Sequence, residues 1–310
     1  MASIKVLSPG MMTTIQDLGR FGYQRLGISP AGAMDSYSLR LANLVVGNPP
    51  GEACLEITLL GPRLEFTSST TIALTGADLN PQLNGVAVEM WATVPITTGD
   101  VLSFGGIRSG CRTYLSCLGG FQISPVLGSK STLTRAGLGG AHGRPLETGD
   151  EIPIAEVPGH RASDRAPSAY RRQFSRSVAA RLILGPQQDC FSEESVELFL
   201  SSAFTVSPSS DRMGLRLSGP RLRHYKSADI VSDALVTGAV QVPGDGNPII
   251  MAADRPTTGG YPKIGVIVTP DMDLLGQAKP GDEVRFTYVS LIQAHEIYRR
   301  YMEGFDRFRL

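Results

Sequence analysis

Apolar and polar positions alternate over short stretches of this chain, and the stretches end at Gly, Pro, Asn or Asp. Alternation with period two, enriched in β-branched residues and bounded by turn formers, predicts short strands. The pattern predicts them at Ala53–Leu59, Arg63–Phe66, Thr71–Thr75, Val86–Trp91, Val101–Phe104, Arg112–Leu118, Leu182–Leu184, Leu235–Val242, Ile249–Ala253, Lys263–Val268 and Glu283–Val289. One turn recurs before such runs, as Thr98-Gly99-Asp100, Thr148-Gly149-Asp150 and Pro280-Gly281-Asp282. A Gly-Asp turn feeding a strand is a common way to reverse direction in a barrel, and the repetition points to related barrels in the two halves.

Helical spacing is confined to three places. Asp35–Gly47 has an N-cap acid and a C-terminal glycine stop. Ser192–Ser201 opens on a capping serine with Glu193 and Glu194 at the positive end of the dipole. In the tail, Leu291, Ala294, Tyr298, Tyr301 and Phe305 fall on one face. The predicted class is therefore mostly β with few short helices.

At 310 residues the chain is long enough for about two domains. The stretch 160–181 carries six arginines against the single acid Asp164, has little apolar periodicity, and is read as the linker. The expected division is an N-terminal β subdomain over 1–159, the linker over 160–181 and a C-terminal β subdomain with a terminal helix over 182–310. As a solvated connection the linker needs no ligand; as a basic loop it could meet an acidic partner or an anion.

Lys+Arg equals Asp+Glu at 29 each, so nothing points to nucleic acid as the main partner. No apolar run reaches the length of a membrane span, and a cytoplasmic location with no membrane partner is expected. Cys54, Cys111, Cys117 and Cys190 contain no C-x-x-C pair and are expected to be reduced and buried. The four histidines are scattered, so no metal site is expected. P-loop, dinucleotide-binding, H-E-x-x-H and nucleophile-elbow motifs are all missing.

Three glycine-rich polar stretches remain as candidates for chemistry. The first runs from Gln16 through Asp17, Gly19, Arg20, Gly22 and Gly27 to Gly32 and Asp35. The second is Ser210-Asp211-Arg212-Met213-Gly214-Leu215-Arg216-Leu217, where the planar fork of Arg212 could take a carboxylate or phosphate. The third is Asp254-Arg255-Pro256-Thr257-Thr258-Gly259-Gly260-Tyr261-Pro262-Lys263, whose hydroxyls and backbone N–H groups could cradle an anion. Each also has a plain reading, as a structural loop, a surface turn and a hairpin tip respectively.

These stretches, together with Leu41-Ala42-Asn43, Leu55-Glu56-Ile57-Thr58, Leu74-Thr75-Gly76-Ala77-Asp78, Leu127-Gly128-Ser129 and Gly238 through Pro243, resemble the KipA family (the C subunit of 5-oxoprolinase, or the second subunit of allophanate hydrolase). The resemblance runs from about residue 12 to 294. It implies two β-barrel-like subdomains, the C-terminal one cyclophilin-like, with a KipI-like partner and, in 5-oxoprolinase, a LamB/YcsF-like third subunit. It implies ATP-driven opening of the 5-oxoproline lactam to glutamate by the complex. The alternatives are the carboxyltransferase component of a biotin-dependent urea carboxylase, with the biotin carried on another chain, and a non-catalytic regulator that binds a KipI-like protein. In the family the third stretch usually has Gln where this chain has Pro256, and Glu is common where it has Asp233. The site expected from residue chemistry has Asp211, Arg212, Asp254 and Lys263 in catalytic roles. Asp17, Arg20, Thr257, Thr258, Gly259, Gly260 and Tyr261 would hold the substrate or anion, the three stretches meeting in one cleft.

Overall fold

The computed structural model describes residues 2–157 and 164–308. The chain forms two compact units, one of Met1–Arg20 and Ala31–Phe174, the other of Phe21–Pro30 and Ser175–Phe308. Of the basic stretch, His160 and Arg161 lie outside the described residues. Arg165 and Arg171 pair with Glu89 of the first unit, and the Arg172 guanidinium sits 3.7 Å from the Tyr37 ring centroid.

The first unit contains two antiparallel sheets. One orders Glu151–Pro153, Ser3–Ser8, Arg63–Phe66, Val101–Phe104, Pro81–Leu83 and Val86–Ala87; the other orders Met12–Gln16, Cys54–Thr58, Ser109–Cys117, Thr70–Asp78 and Thr93–Ile96. Ile4, Leu64, Phe66 and Ile152 of the first sheet share a core with Ile15, Leu55, Ile57, Leu74 and Leu115 of the second. The helix Ser36–Val46 packs on the second sheet. Its N-cap Asp35 accepts hydrogen bonds from the Ser38 N–H (2.9 Å) and hydroxyl (2.6 Å). The Asp35 N–H donates to the Tyr114 hydroxyl (2.8 Å), which donates in turn to Glu56 (2.7 Å). Burial, reinforced by the neighbouring Glu56 charge, pushes the Tyr114 phenol well above its ordinary range.

The second unit closes into a seven-stranded barrel, in the order Ser177–Leu184, Lys263–Ile267, Ala239–Gln241, Ile249–Met251, Gly214–Ser218, Ala203–Val206 and Glu283–Tyr288. The ring shuts where Glu283–Tyr288 runs parallel to Ser177–Leu184. Alternate residues supply the core: Val178, Ala180 and Leu182; Leu215 and Leu217; Val284 and Phe286. Helix Glu193–Ser201 adds Phe199, stacked on Phe286 with centroids 4.3 Å apart. The tail helix Leu291–Asp306 is fixed to the helix Thr269–Leu275 by the Tyr301 hydroxyl, which donates to Asp273 (2.8 Å).

The mostly-β class is observed, and the barrel-like expectation is met differently in the two units. The first has two open sheets around one core; the second closes completely. All three recurrent turns share one construction. Gly99, Gly149 and Gly281 take φ of 88°, 93° and 86°, and the following aspartate accepts the backbone N–H three residues back, from Thr97, Glu147 and Lys279. Sequence pattern missed the strand Met12–Gln16 because Thr13, Thr14 and Gln16 are polar yet buried. It also overextended two strands: Val86–Trp91 is Val86–Ala87, and Leu235–Val242 is Ala239–Gln241. All four cysteines are free and buried. No helix among the described residues is long and apolar enough to cross a membrane, and these residues contain no group of His, Cys, Asp and Glu able to hold a metal.

Candidate functional site

The third glycine-rich stretch is not a hairpin tip. The strands on either side of it, Ile249–Met251 and Lys263–Ile267, are not neighbours, since Ala239–Gln241 lies between them. The stretch is a crossover with a scaffold of its own: Thr258–Gly259 pairs antiparallel with Asp233–Ala234. The Leu235 N–H donates to the Thr257 carbonyl (3.0 Å) and the Ile230 N–H to that of Gly260 (2.8 Å). Gly259 is required by close approach, because a Cβ there would lie 2.7 Å from the Gln241 amide and 2.9 Å from Leu235. Thr258 and Tyr261 remain exposed.

The second stretch sits beside the third. The Asp254 N–H donates to the Arg212 carbonyl (2.8 Å). Arg212 returns a two-pronged contact, Nε and Nη2 each 2.9 Å from a carboxylate oxygen of Asp254, with both side chains about 5% exposed. Asp211 is exposed, and its Oδ1 accepts the N–H groups of Met213 (2.8 Å) and Gly214 (3.1 Å), which fixes the turn into Gly214–Ser218. Between the two stretches opens a cavity of about 170 Å³, lined by Asp211, Met213, Arg216, Gln241, Pro256 and Tyr261, among others. At about 30 Å³ per water it has room for five or six waters, the scale of a small organic molecule. The first stretch reaches this unit through its second half: Gln24 Nε2 donates to the Leu235 carbonyl (3.3 Å) and the Ser29 hydroxyl to that of Arg255 (2.6 Å).

Lys263 is buried, and its ammonium is engaged by the carboxylate of Asp233, itself half exposed. The Lys263 contact is the main reason the Asp233 carboxyl is held below its usual range. Asp17 and Arg20 belong to the first unit. Asp17 accepts from the Gly19 N–H (2.8 Å), the Ser129 hydroxyl (2.7 Å), the Lys130 N–H (2.6 Å) and the Ser131 hydroxyl (2.5 Å). Arg20 is buried and donates to the carbonyls of Val126 (2.9 Å) and Ser131 (2.8 Å). Both therefore organise the 126–131 loop. Sequence reasoning did not single out Gln241 or Arg216 as site residues. Gln241 binds the Tyr261 carbonyl (3.0 Å) and lines the cavity together with Arg216. Its signal was a buried glutamine in an otherwise apolar strand, which becomes informative only once burial is known.

Fold and site together define a mostly-β protein whose barrel unit carries a small cavity framed by two ion-paired loops. Residues 26–288 match the family model described as carboxyltransferase domain, subdomain A and B, and the chain belongs to that family. It is 38% identical over 303 residues to the C subunit of 5-oxoprolinase from Escherichia coli, covering 97% of this chain and 96% of that protein. It is 35% identical to the urea amidolyase of Saccharomyces cerevisiae over 93% of this chain, but spans only 17% of that protein. The crystal structure of the K. lactis urea amidolyase superposes with a TM-score of 0.93 at 34% identity, covering 99% of this chain and 20% of that one. The chain is thus homologous to an enzyme subunit.

Proposed function

We propose that this protein is a subunit of an ATP-dependent 5-oxoprolinase, acting with KipI-like and LamB/YcsF-like partners to open 5-oxo-L-proline to L-glutamate. The observation that carries the reading is the 38% identity to a protein named as an oxoprolinase subunit, sustained over 303 residues. A lactam carbonyl is a poor electrophile, and phosphorylation of its oxygen by ATP supplies a leaving group. The work left to this chain is to hold negative charge in place.

The barrel-unit cavity supports that role. Thr257 and the exposed Thr258 offer hydroxyls on the same stretch as the cavity-lining Pro256 and Tyr261, and Gly259 lets the backbone pass close to Gln241, another lining residue. Lys263 supplies a buried positive charge whose counter-ion, Asp233, is half exposed and therefore displaceable. Arg212 and Asp254 saturate one another, so their role is to set the loop rather than to transfer protons. Asp211, on the cavity wall, is the better placed acid for orienting a substrate N–H or water. Asp17 and Arg20 shape the 126–131 loop and contribute indirectly.

A second reading, the carboxyltransferase part of a biotin-dependent urea carboxylase, is favoured by the TM-score of 0.93 to the urea amidolyase structure. Reconstitution separates the two. The three-chain mixture is expected to form glutamate from 5-oxoproline only with ATP, and Lys263→Met is expected to lower turnover at least a hundredfold while partner co-elution is retained. Carboxybiotin-dependent transfer to urea, without glutamate formation, supports the second reading. Co-elution without any turnover supports a binding role alone.

A further inference from the structure

Three cations in the barrel unit are buried: Arg212, Arg255 and Lys263. Arg212 has Asp254 and Lys263 has Asp233. Arg255 is 4% exposed, yet its Nε and Nη1 find no acceptor and it forms no ion pair among the described residues. The adjacent acid, Asp254, is already committed to Arg212 through both oxygens. The backbone at Arg255 is pinned on both sides, its N–H donating to the Ala252 carbonyl (3.3 Å) and its carbonyl accepting the Ser29 hydroxyl (2.6 Å). Desolvation lowers its pKa, but a guanidinium remains charged at neutral pH.

An uncompensated buried charge is strongly unfavourable, whereas an apolar side chain of similar volume would be tolerated at such a position. A residue of this kind is retained where a ligand supplies the missing counter-charge, and stability is given up for function. We propose that Arg255 is a ligand-binding residue whose guanidinium pairs with the carboxylate of a small monocarboxylic acid bound in the barrel unit. The planar fork suits a carboxylate. A lone cation suits a monoanion better than a phosphate dianion, which is ordinarily met by several donors. Arg255 directly precedes Pro256, which lines the 170 Å³ cavity, so the backbone at Arg255 borders that cavity. The proposal deepens the oxoprolinase reading, because 5-oxoproline carries such a carboxylate away from its lactam.

The test is thermal unfolding of the full chain at constant ionic strength, titrated with 5-oxo-L-proline, 5-oxo-L-prolinamide, acetate or inorganic phosphate. For the wild type, at least one carboxylate is expected to raise the melting temperature saturably, and 5-oxoproline to act at least tenfold more tightly than its amide. Arg255→Met is expected to melt at or above the wild type without ligand, and to lose the carboxylate response at least tenfold. Arg255→Lys should respond in between, and it carries the test if the Met variant does not fold. An Arg255-dependent response to acetate with none to 5-oxoproline keeps the carboxylate site and rejects the oxoprolinase reading. The proposal is overturned if no carboxylate acts, if acid and amide act alike, if phosphate alone acts, or if Arg255→Met keeps the response within twofold.

Discussion

Removing either partner of the Arg212–Asp254 pair should destabilise the barrel unit far more than removing both. The two side chains are 5% and 6% exposed and joined by two contacts of 2.9 Å. Asp254→Leu leaves a desolvated guanidinium, and Arg212→Met leaves a desolvated carboxylate. Breaking a buried pair in this way costs about 3–5 kcal/mol. Set against a domain stability of about 5–15 kcal/mol, that is roughly a fifth or more of the total. In Arg212→Met/Asp254→Leu both charges are gone, and the loss should fall to about 1 kcal/mol or vanish. The coupling energy of the cycle is then at least about 5 kcal/mol. Urea unfolding followed by far-UV circular dichroism gives the free energies. Hydrogen exchange of the strands Ala203–Val206 and Glu283–Tyr288 assigns the loss to the barrel. Single variants within 1 kcal/mol of the wild type, or a double variant as damaged as the sum of the singles, would refute the view that this pair sets the loop by mutual neutralisation.

Two further outcomes follow from the first unit. Asp17→Ala removes an acceptor used by four donors around the 126–131 loop and should cost about 3 kcal/mol, with faster proteolysis near Val126, whereas a loss below 1 kcal/mol would refute that structural role. The Arg144 guanidinium holds the Asp150 carboxyl down to about 2. A carboxyl depressed in the folded state stabilises it above the unfolded value near 4, and that stability is lost as pH falls toward 2. Asp150→Asn should therefore lower the urea midpoint at neutral pH and flatten its decline between pH 4 and 2, and a parallel shift at all pH values would count against it.

The helix Ser36–Val46 shows how far local signals reach. Asp35 and Gly47 mark its ends in sequence, and they are its caps in the structure, because capping uses only groups within one turn. The three Gly-Asp turns are legible for the same reason. The helix Thr269–Leu275 escaped notice despite Pro270 in its first turn, because seven residues hardly develop a periodic face. The third glycine-rich stretch looked like a hairpin tip because its flanking strands are close in sequence. Which strands are neighbours depends on the closing of the barrel, and that closure joins Ser177–Leu184 to Glu283–Tyr288 across about a hundred residues.

Residue chemistry singled out Arg212, Asp254 and Lys263 for catalytic roles, but it could not say whether their charges were open or already paired. The amino-acid order alone settles the strand-rich class, the caps, the turns and the family, since each depends on groups a few residues apart or on an ordered series of motifs. The tertiary structure decides which charge faces which. Asp254 lies beside Arg255 in sequence and yet serves Arg212, 42 positions earlier, because two barrel strands bring those loops together and burial removes the water that would otherwise have screened the choice.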